Sequence, residues 1–185
     1  MDADTLEKLV EWVRHRHFGK YRGTVSDNSD STNRGRLKVR VPAVLGDLEV
    51  WAMPCVPYAG DKEGFYFLPE QGTGVWVEFE AGDPSYPIWT GFFWTDDQLP
   101  DDATDAKMKV MRTGSATLRI DDDQKEIYFS ADGGGNVKIA DEIVSTRDQA
   151  AHTVSTSGVK SEIGGQKTEL TQSSFSVDDG ALEVM

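Results

Sequence analysis

The sequence predicts an all-β chain in two parts: a small closed barrel preceded by a short helix, then a thin carboxy-terminal run of strands that folds as a homotrimer. Three observations predict it. Apolar and polar residues alternate at strand spacing through most of the 185 residues. All five Trp and all seven Pro lie at or before Pro100, so the bulky core formers are confined to the first half. From Lys107 onward, only 21 residues in 79 are hydrophobic once alanine is set aside, too few for a core that belongs to one chain.

Residues 1–18 read as an amphipathic helix, because Leu6, Leu9, Val10 and Val13 recur at helical spacing, with Thr5 or Asp4 as its cap and Gly19 as its stop. The basic run Arg14-His15-Arg16-His17 suits the negative end of the helix macrodipole. Residues 19–95 read as the barrel. In Arg36-Leu37-Lys38-Val39-Arg40-Val41 apolar residues alternate with cations, giving one buried and one wet face, and Pro42 closes the strand. Further strands are expected in Trp51–Val56, Phe65–Leu68, Val75–Glu80 and Ile88–Trp94, with turns at Tyr58-Ala59-Gly60-Asp61 and Gly82-Asp83-Pro84. Five short strands in this span suggest a Greek-key barrel of the oligonucleotide/oligosaccharide-binding (OB) type.

Residues 96–106 form an acidic linker: Asp96, Asp97, Asp101, Asp102 and Asp105 crowd a stretch without Lys or Arg, and Pro100 removes a backbone donor in its middle. Residues 107–185 contain no proline and repeat apolar-x-apolar pairs, Leu118/Ile120, Ile127/Phe129, Val137/Ile139, Phe175/Val177 and Leu182/Val184. Burying so few side chains falls well short of the entropy lost on ordering the segment. Winding three chains together shrinks the deficit, with ladders between chains satisfying the backbone and one narrow apolar axis serving all strands. The first four pairs are then the trimer core. Asp121-Asp122-Asp123, Gly133-Gly134-Gly135 and Gly164-Gly165 suit the corners of such an intertwined prism. The Ser, Thr, Gly and Gln content after Ser145 also fits disordered loops.

Composition excludes several classes of function. Against 19 basic residues stand 32 acidic ones, and the net charge of -13 repels nucleic acid and anionic membranes. Cys55 is the single cysteine, so no intrachain disulfide forms; within Pro54-Cys55-Val56 it reads as a buried, inert thiol. The acidic amino terminus lacks the positive charge of a signal peptide, and no apolar run reaches the ~18–20 residues of a membrane span. Assembly in the cytoplasm is the expectation.

Several ordered blocks carry a family resemblance: Gly19-Lys20-Tyr21-Arg22-Gly23, Gly35 to Pro42, Trp51 to Gly60, Phe67-Leu68-Pro69-Glu70, Gly74 to Glu80 and Gly82 to Gly91. Together, over roughly residues 19–95, they resemble the OB-fold domain of phage baseplate spike proteins (baseplate assembly protein V) and type VI secretion Vgr proteins. The resemblance implies a trimeric base followed by a triple-stranded β-helix, the arrangement that the shortage of hydrophobes demands independently. It also implies a spike seated on the hub of the tail tube and driven into a target envelope when a sheath contracts, in a virion tail baseplate or related particle. Residues 95–107 leave no room for an inserted lysozyme-like domain, so the cell-wall-cutting activity of some relatives is not expected.

Other chemistry finds little footing. Asp121, Asp122, Asp123 and Glu126 lie in a polar turn with no apolar surround to raise one carboxyl, as a glycosidase pair requires, and they lack the spacing of a calcium loop. No Lys-Ser or Lys-Thr follows Gly133-Gly134-Gly135, as a phosphate loop needs. No cofactor is expected, nor enzymatic activity. The cations Arg36, Lys38 and Arg40 carry the alternative reading, an OB barrel binding oligonucleotide or oligosaccharide, although residues 1–95 hold 14 acidic and 10 basic residues. Some spikes of the resembled family hold a metal at the tip through His-x-His. The only such pair here, His15-Arg16-His17, lies near the amino terminus, where helical positions i and i+2 point apart. His152 stands alone in the trimeric segment. Facing inward it would bring three imidazoles together on a threefold axis; facing outward it is merely polar, and parity alone favours outward. At the carboxy terminus, Leu182, Val184 and Met185 from three chains are expected to form an apolar platform, which the resemblance assigns to a PAAR-type tip protein.

Overall fold

The computed structural model describes residues 2–185. Two compact units divide between Gln98 and Leu99, inside the acidic connector.

In the first unit, helix α1 spans Ala3–Arg14 and is capped by Asp2, whose carboxylate accepts the Thr5 N–H at 2.8 Å. The cap therefore sits earlier than Thr5 or Asp4, and the helix stops four residues short of the expected 18. Its apolar stripe is present, but no residue of the helix is buried within the chain. The barrel strands are β1 (Tyr21–Asp27), β2 (Leu37–Arg40) and β3 (Glu49–Pro54); a one-turn helix α2 (Pro42–Leu45) separates β2 from β3. A small ladder of β4 (Ala59–Gly60) with β5 (Glu63–Gly64) follows, and then β6 (Gly74–Phe79) and β7 (Pro87–Phe92). Hydrogen bonding closes the ring in the order β1-β2-β3-β7-β6. All pairings are antiparallel except β3 with β7, where Met53 lies beside Ile88 in a parallel pair.

Alternation places Val25, Leu37, Val39, Ala52, Val75, Val77 and Phe79 inside the barrel with Val41 and Trp89, all nearly inaccessible to water. The buried Val, Leu and Phe side chains each contribute about 1.5–3 kcal/mol. The Trp89 indole N–H donates to the Gly35 carbonyl at 3.1 Å, so its one polar atom is satisfied. At Gly23 the barrel wall closes tightly: a Cβ there would lie 2.9 Å from the Arg40 carbonyl oxygen. The expected strand Phe65–Leu68 does not form. Its alternation is aromatic on every residue but the last, and Phe65, Tyr66 and Phe67 are 53%, 75% and 52% exposed in a loop beyond β5.

The second unit is one antiparallel sheet of ten strands in sequence order. These are β8 (Met108–Arg112), β9 (Ala116–Asp121), β10 (Glu126–Ala131), β11 (Gly135–Ile139), β12 (Ile143–Arg147), β13 (Ala150–Val154), β14 (Gly158–Ile163), β15 (Gln166–Thr171), β16 (Phe175–Val177) and β17 (Leu182–Val184). Tight turns join them, several through left-handed residues such as Lys125 (φ 51°), Gly134 (φ 86°) and Asp148 (φ 53°). The ladders run within the chain from first strand to last, rather than between chains as the sequence suggested. Each inner strand is thus paired on both sides within the chain, and only the two edge strands have an open side. The missing ingredient is a second layer: among the described residues, none in this unit is buried.

Candidate functional site

Residues opposite one another in a ladder share a face, so the register sorts every side chain of the second unit. One row crosses the sheet as Ile120, Ile127, Ile139, Ile143, Val154, Val159, Leu170, Phe175 and Val184. Two residues away on the same face runs a second row, Met111, Leu118, Phe129, Val137, Ser145, His152, Ser161, Thr168, Val177 and Leu182. All eight residues expected in the trimer core lie on this face, and they leave large apolar areas open to water in the single chain, Phe129 at 45% and Phe175 at 39%.

The opposite face is polar. Arg119, Tyr128, Lys138, Thr153, Lys160, Glu169, Ser176 and Glu183 follow one another across it, interrupted only by Val144. Arg119 pairs with Glu126 at 3.0 Å while its guanidinium lies 5.0 Å from the centre of the Tyr128 ring. A sheet with one ionic and one aliphatic face has its solvent side settled and its other side unmatched.

The aliphatic residues that sequence reading missed, Ile143, Val154, Val159 and Leu170, complete the first row. The pair pattern failed to find them because their partners two residues along are Ser145, His152, Ser161 and Thr168. Those four are neighbours across β12 to β15 and form a polar band in an otherwise apolar face. His152 therefore shares the face of Val154 rather than the ionic one. Its Nδ1 lies 2.8 Å from the Ser161 hydroxyl. Around it the face is hollowed into a trough of about 830 Å3, whose walls include Val137, Ser145, Thr168 and Val177.

At the end of the sheet, Leu182 and Val184 continue the same two rows from the last strand and are 58% and 59% exposed, while Met185 extends beyond it at 98%. The acidic corner before β10 is structural. The Asp121 carboxylate caps the turn by accepting from the Asp123 and Gln124 amides at 3.0 Å, Asp122 pairs with Lys109, and Asp123 pairs with Lys107.

On the barrel, the cationic residues of the β2 region are each matched by a carboxylate. Glu49 holds Arg40 at 2.7 Å and Lys38 at 3.7 Å, and the Arg40 bond holds its carboxyl below the usual range. Asp30 takes Arg36 through two nitrogens, at 2.8 and 3.2 Å, and also accepts the backbone amides of Thr32, Arg34 and Arg36. Arg36 first, and the other donors after it, hold the Asp30 carboxyl far below the usual range. The Arg36 guanidinium also lies 5.2 Å from the centre of the Trp51 ring. This surface is an ion-pair lattice, with little free charge to attract a phosphate backbone.

Cys55 is exposed, not buried: it lies one residue beyond β3, where Pro54 has ended the alternation. His15 and His17 go separate ways, His15 turning back to the Glu11 carbonyl and His17 stacking 6.1 Å from Phe79. No group of three metal-ligating side chains exists among the described residues of a single chain, and no helix is long and apolar enough to cross a membrane.

In comparison with known families, residues 21–94 match the type VI secretion system/phage-baseplate injector OB domain. The match covers the closed barrel from β1 through β7 and stops before the ten-stranded sheet. No curated protein matches the chain.

Proposed function

We propose that the chain, whose residues 21–94 match the type VI secretion system/phage-baseplate injector OB domain, is the central spike of a contractile tail or injection system, acting as a structural homotrimer and not as an enzyme. The observation that carries this reading is the ten-stranded sheet with no buried residue and one aliphatic face. Three copies placing that face against a common axis convert three half-layers into one core, a triangular β-helical shaft with its ionic faces outward. Such a shaft has short, mutually braced strands and no long loops, which suits an object that transmits an axial push. In this reading the OB end is seated on the hub and tube proteins, where the exposed aromatic loop offers a docking surface, and the far end pierces the target cell envelope. Leu182, Val184 and Met185 form the seat for a PAAR-type tip protein.

Oligonucleotide binding by the barrel fits less well, since the cations it would use are already paired. The test is native mass spectrometry of the purified chain together with negative-stain imaging. The expected result is a trimer, uniform in mass and in image size. A folded monomer whose carboxy-terminal half resists proteolysis would overturn the proposal.

A further inference from the structure

The face assigned to the shaft axis carries one feature that an apolar core does not explain, the band of Ser145, His152, Ser161 and Thr168. In each strand from β10 to β15 three side chains point to this face, and in β12 to β15 the band occupies the middle position. The middle position is the one aimed at the axis when three sheets close into a triangle. With strands of five residues, about 17 Å long, the middle of each side lies on the order of 5–7 Å from that axis, within the reach of an imidazole. Above and below the band, the same row is Leu118, Phe129, Val137 and then Val177, Leu182, so the polar layer is enclosed by apolar ones.

Polar groups closed off from water need partners. Ser161 already occupies Nδ1 of His152 at 2.8 Å, and among the described residues nothing engages Nε2. Three identical imidazoles related by a threefold axis cannot satisfy one another symmetrically by hydrogen bonding, because each would have to act as both donor and acceptor through the same atom. A single acceptor of three lone pairs on the axis resolves this. The Ser161 hydroxyl can accept from Nδ1–H, and in that tautomer the lone pair sits on Nε2, the arrangement by which a hydroxyl or carbonyl orients a metal-binding histidine. Resting on the trimeric reading above, we propose that His152 from three chains forms an axial site for one divalent transition-metal ion of the zinc or cobalt class, inside the shaft and away from its end. Ser145 lies beside His152 in the ladder register, and its hydroxyl would anchor water on a remaining coordination position. The site exists only in the assembly, since each chain supplies one nitrogen.

The full chain is prepared without a polyhistidine tag and with His15→Ala and His17→Ala, so that His152 is its only imidazole, then stripped of metal and titrated with Co2+. Native mass spectrometry reports the oligomer, and visible absorption reports cobalt bound to nitrogen. The expected result is one Co2+ per three chains with a ligand-field band and a raised unfolding temperature. His152→Ala should keep the trimer and lose the band, and Ser161→Ala should weaken uptake by about 10–100-fold. A trimer that takes up no cobalt, that takes it up equally with His152→Ala, or whose unfolding temperature responds to halide but not to metal, overturns the site while leaving the spike reading intact. A monomer overturns the spike reading and the site with it.

Discussion

The barrel and the meander use strands of similar length with the same alternation of apolar and polar residues, yet the barrel buries nine hydrophobic side chains and the meander, among its described residues, buries none. The difference lies in closure. In the barrel, the parallel contact of β3 with β7 bends the sheet into a ring, and each inward side chain finds others across a few ångströms. In the meander every strand pairs only with its sequence neighbours, so the sheet stays open and its aliphatic rows face nothing within the chain. One unit contains its own hydrophobic driving force; the other leaves its aliphatic face without a partner inside the unit. Backbone hydrogen bonding is satisfied in both and does not separate them.

The largest expected effect follows from that contrast. Phe129→Asp places a charge in the middle of the apolar face. Light scattering should then report a monomer in place of a trimer, and the carboxy-terminal unit should become sensitive to protease. The barrel should keep its own cooperative unfolding transition, because none of its buried residues comes from beyond Trp89. If Phe129→Asp leaves the oligomer unchanged, the aliphatic face is not the interface.

Leu37→Ala is the complementary experiment in the barrel. Leu37 is fully inaccessible, at 0% exposure. Its truncation should cost about 2–5 kcal/mol. In a unit of this size that lowers the barrel's unfolding temperature by roughly 10 °C or more, measured by calorimetry. The oligomeric state should not change. Loss of the trimer with Leu37→Ala would mean that the two units are energetically fused rather than separable.

Much of this contrast was legible in the sequence, and the places where it was not have physical causes. Strict alternation over Leu37-Lys38-Val39-Arg40-Val41 located β2, and the confinement of Trp and Pro to the first half located the compact unit. Phe65–Leu68 misled because aromatic residues favour strands wherever they occur, and the pattern could not show that this stretch lies outside the ring of hydrogen bonds. Cys55 misled because Val56 and Pro54 made its surroundings look apolar one residue after the strand had ended. The aliphatic face was read from apolar-x-apolar pairs, which found both rows at the two ends of the sheet. In the middle, Ser145, His152, Ser161 and Thr168 broke the pairs, so the first row was lost there and the place of His152 on the aliphatic side of the sheet was not legible. Only the ladder register, a non-local property, restores both.

A smaller effect is expected at Asp30, which ties the loop between β1 and β2 to Arg36. Its carboxyl is held well below the ordinary aspartate value. A depressed folded value means that the carboxylate stabilises the fold fully above the unfolded value, near about 3.9, and that this contribution is lost as pH falls below it. Asp30→Asn should therefore lower the barrel's unfolding temperature at pH 7 and flatten its decline between about pH 4 and pH 2. The carboxy-terminal transition should show no change. An unaltered acid profile in the variant would mean that the arginine cluster is held by its stacking on Trp51 and not by the carboxylate.

The smallest expected effect is at the far edge of the meander. β17 pairs on one side only, and Leu182 and Val184 sit at the ends of the two apolar rows with Met185 beyond them. Deleting Ala181 to Met185 removes one short edge strand of ten, so the trimer should persist with an unfolding temperature lowered by only a few degrees, on the order of 1–2 kcal/mol of lost burial per chain. The deletion bears on what the edge is for. An open strand edge with aliphatic side chains is a surface that proteins normally cover or charge, and here it carries one acidic residue, Glu183. If a tip protein covers it, the shortened trimer should fail to co-purify with that protein while the intact chain retains it. Should the shortened trimer still bind the tip protein, Leu182 and Val184 belong to the shaft core alone, as their facing permits, and the seat lies elsewhere.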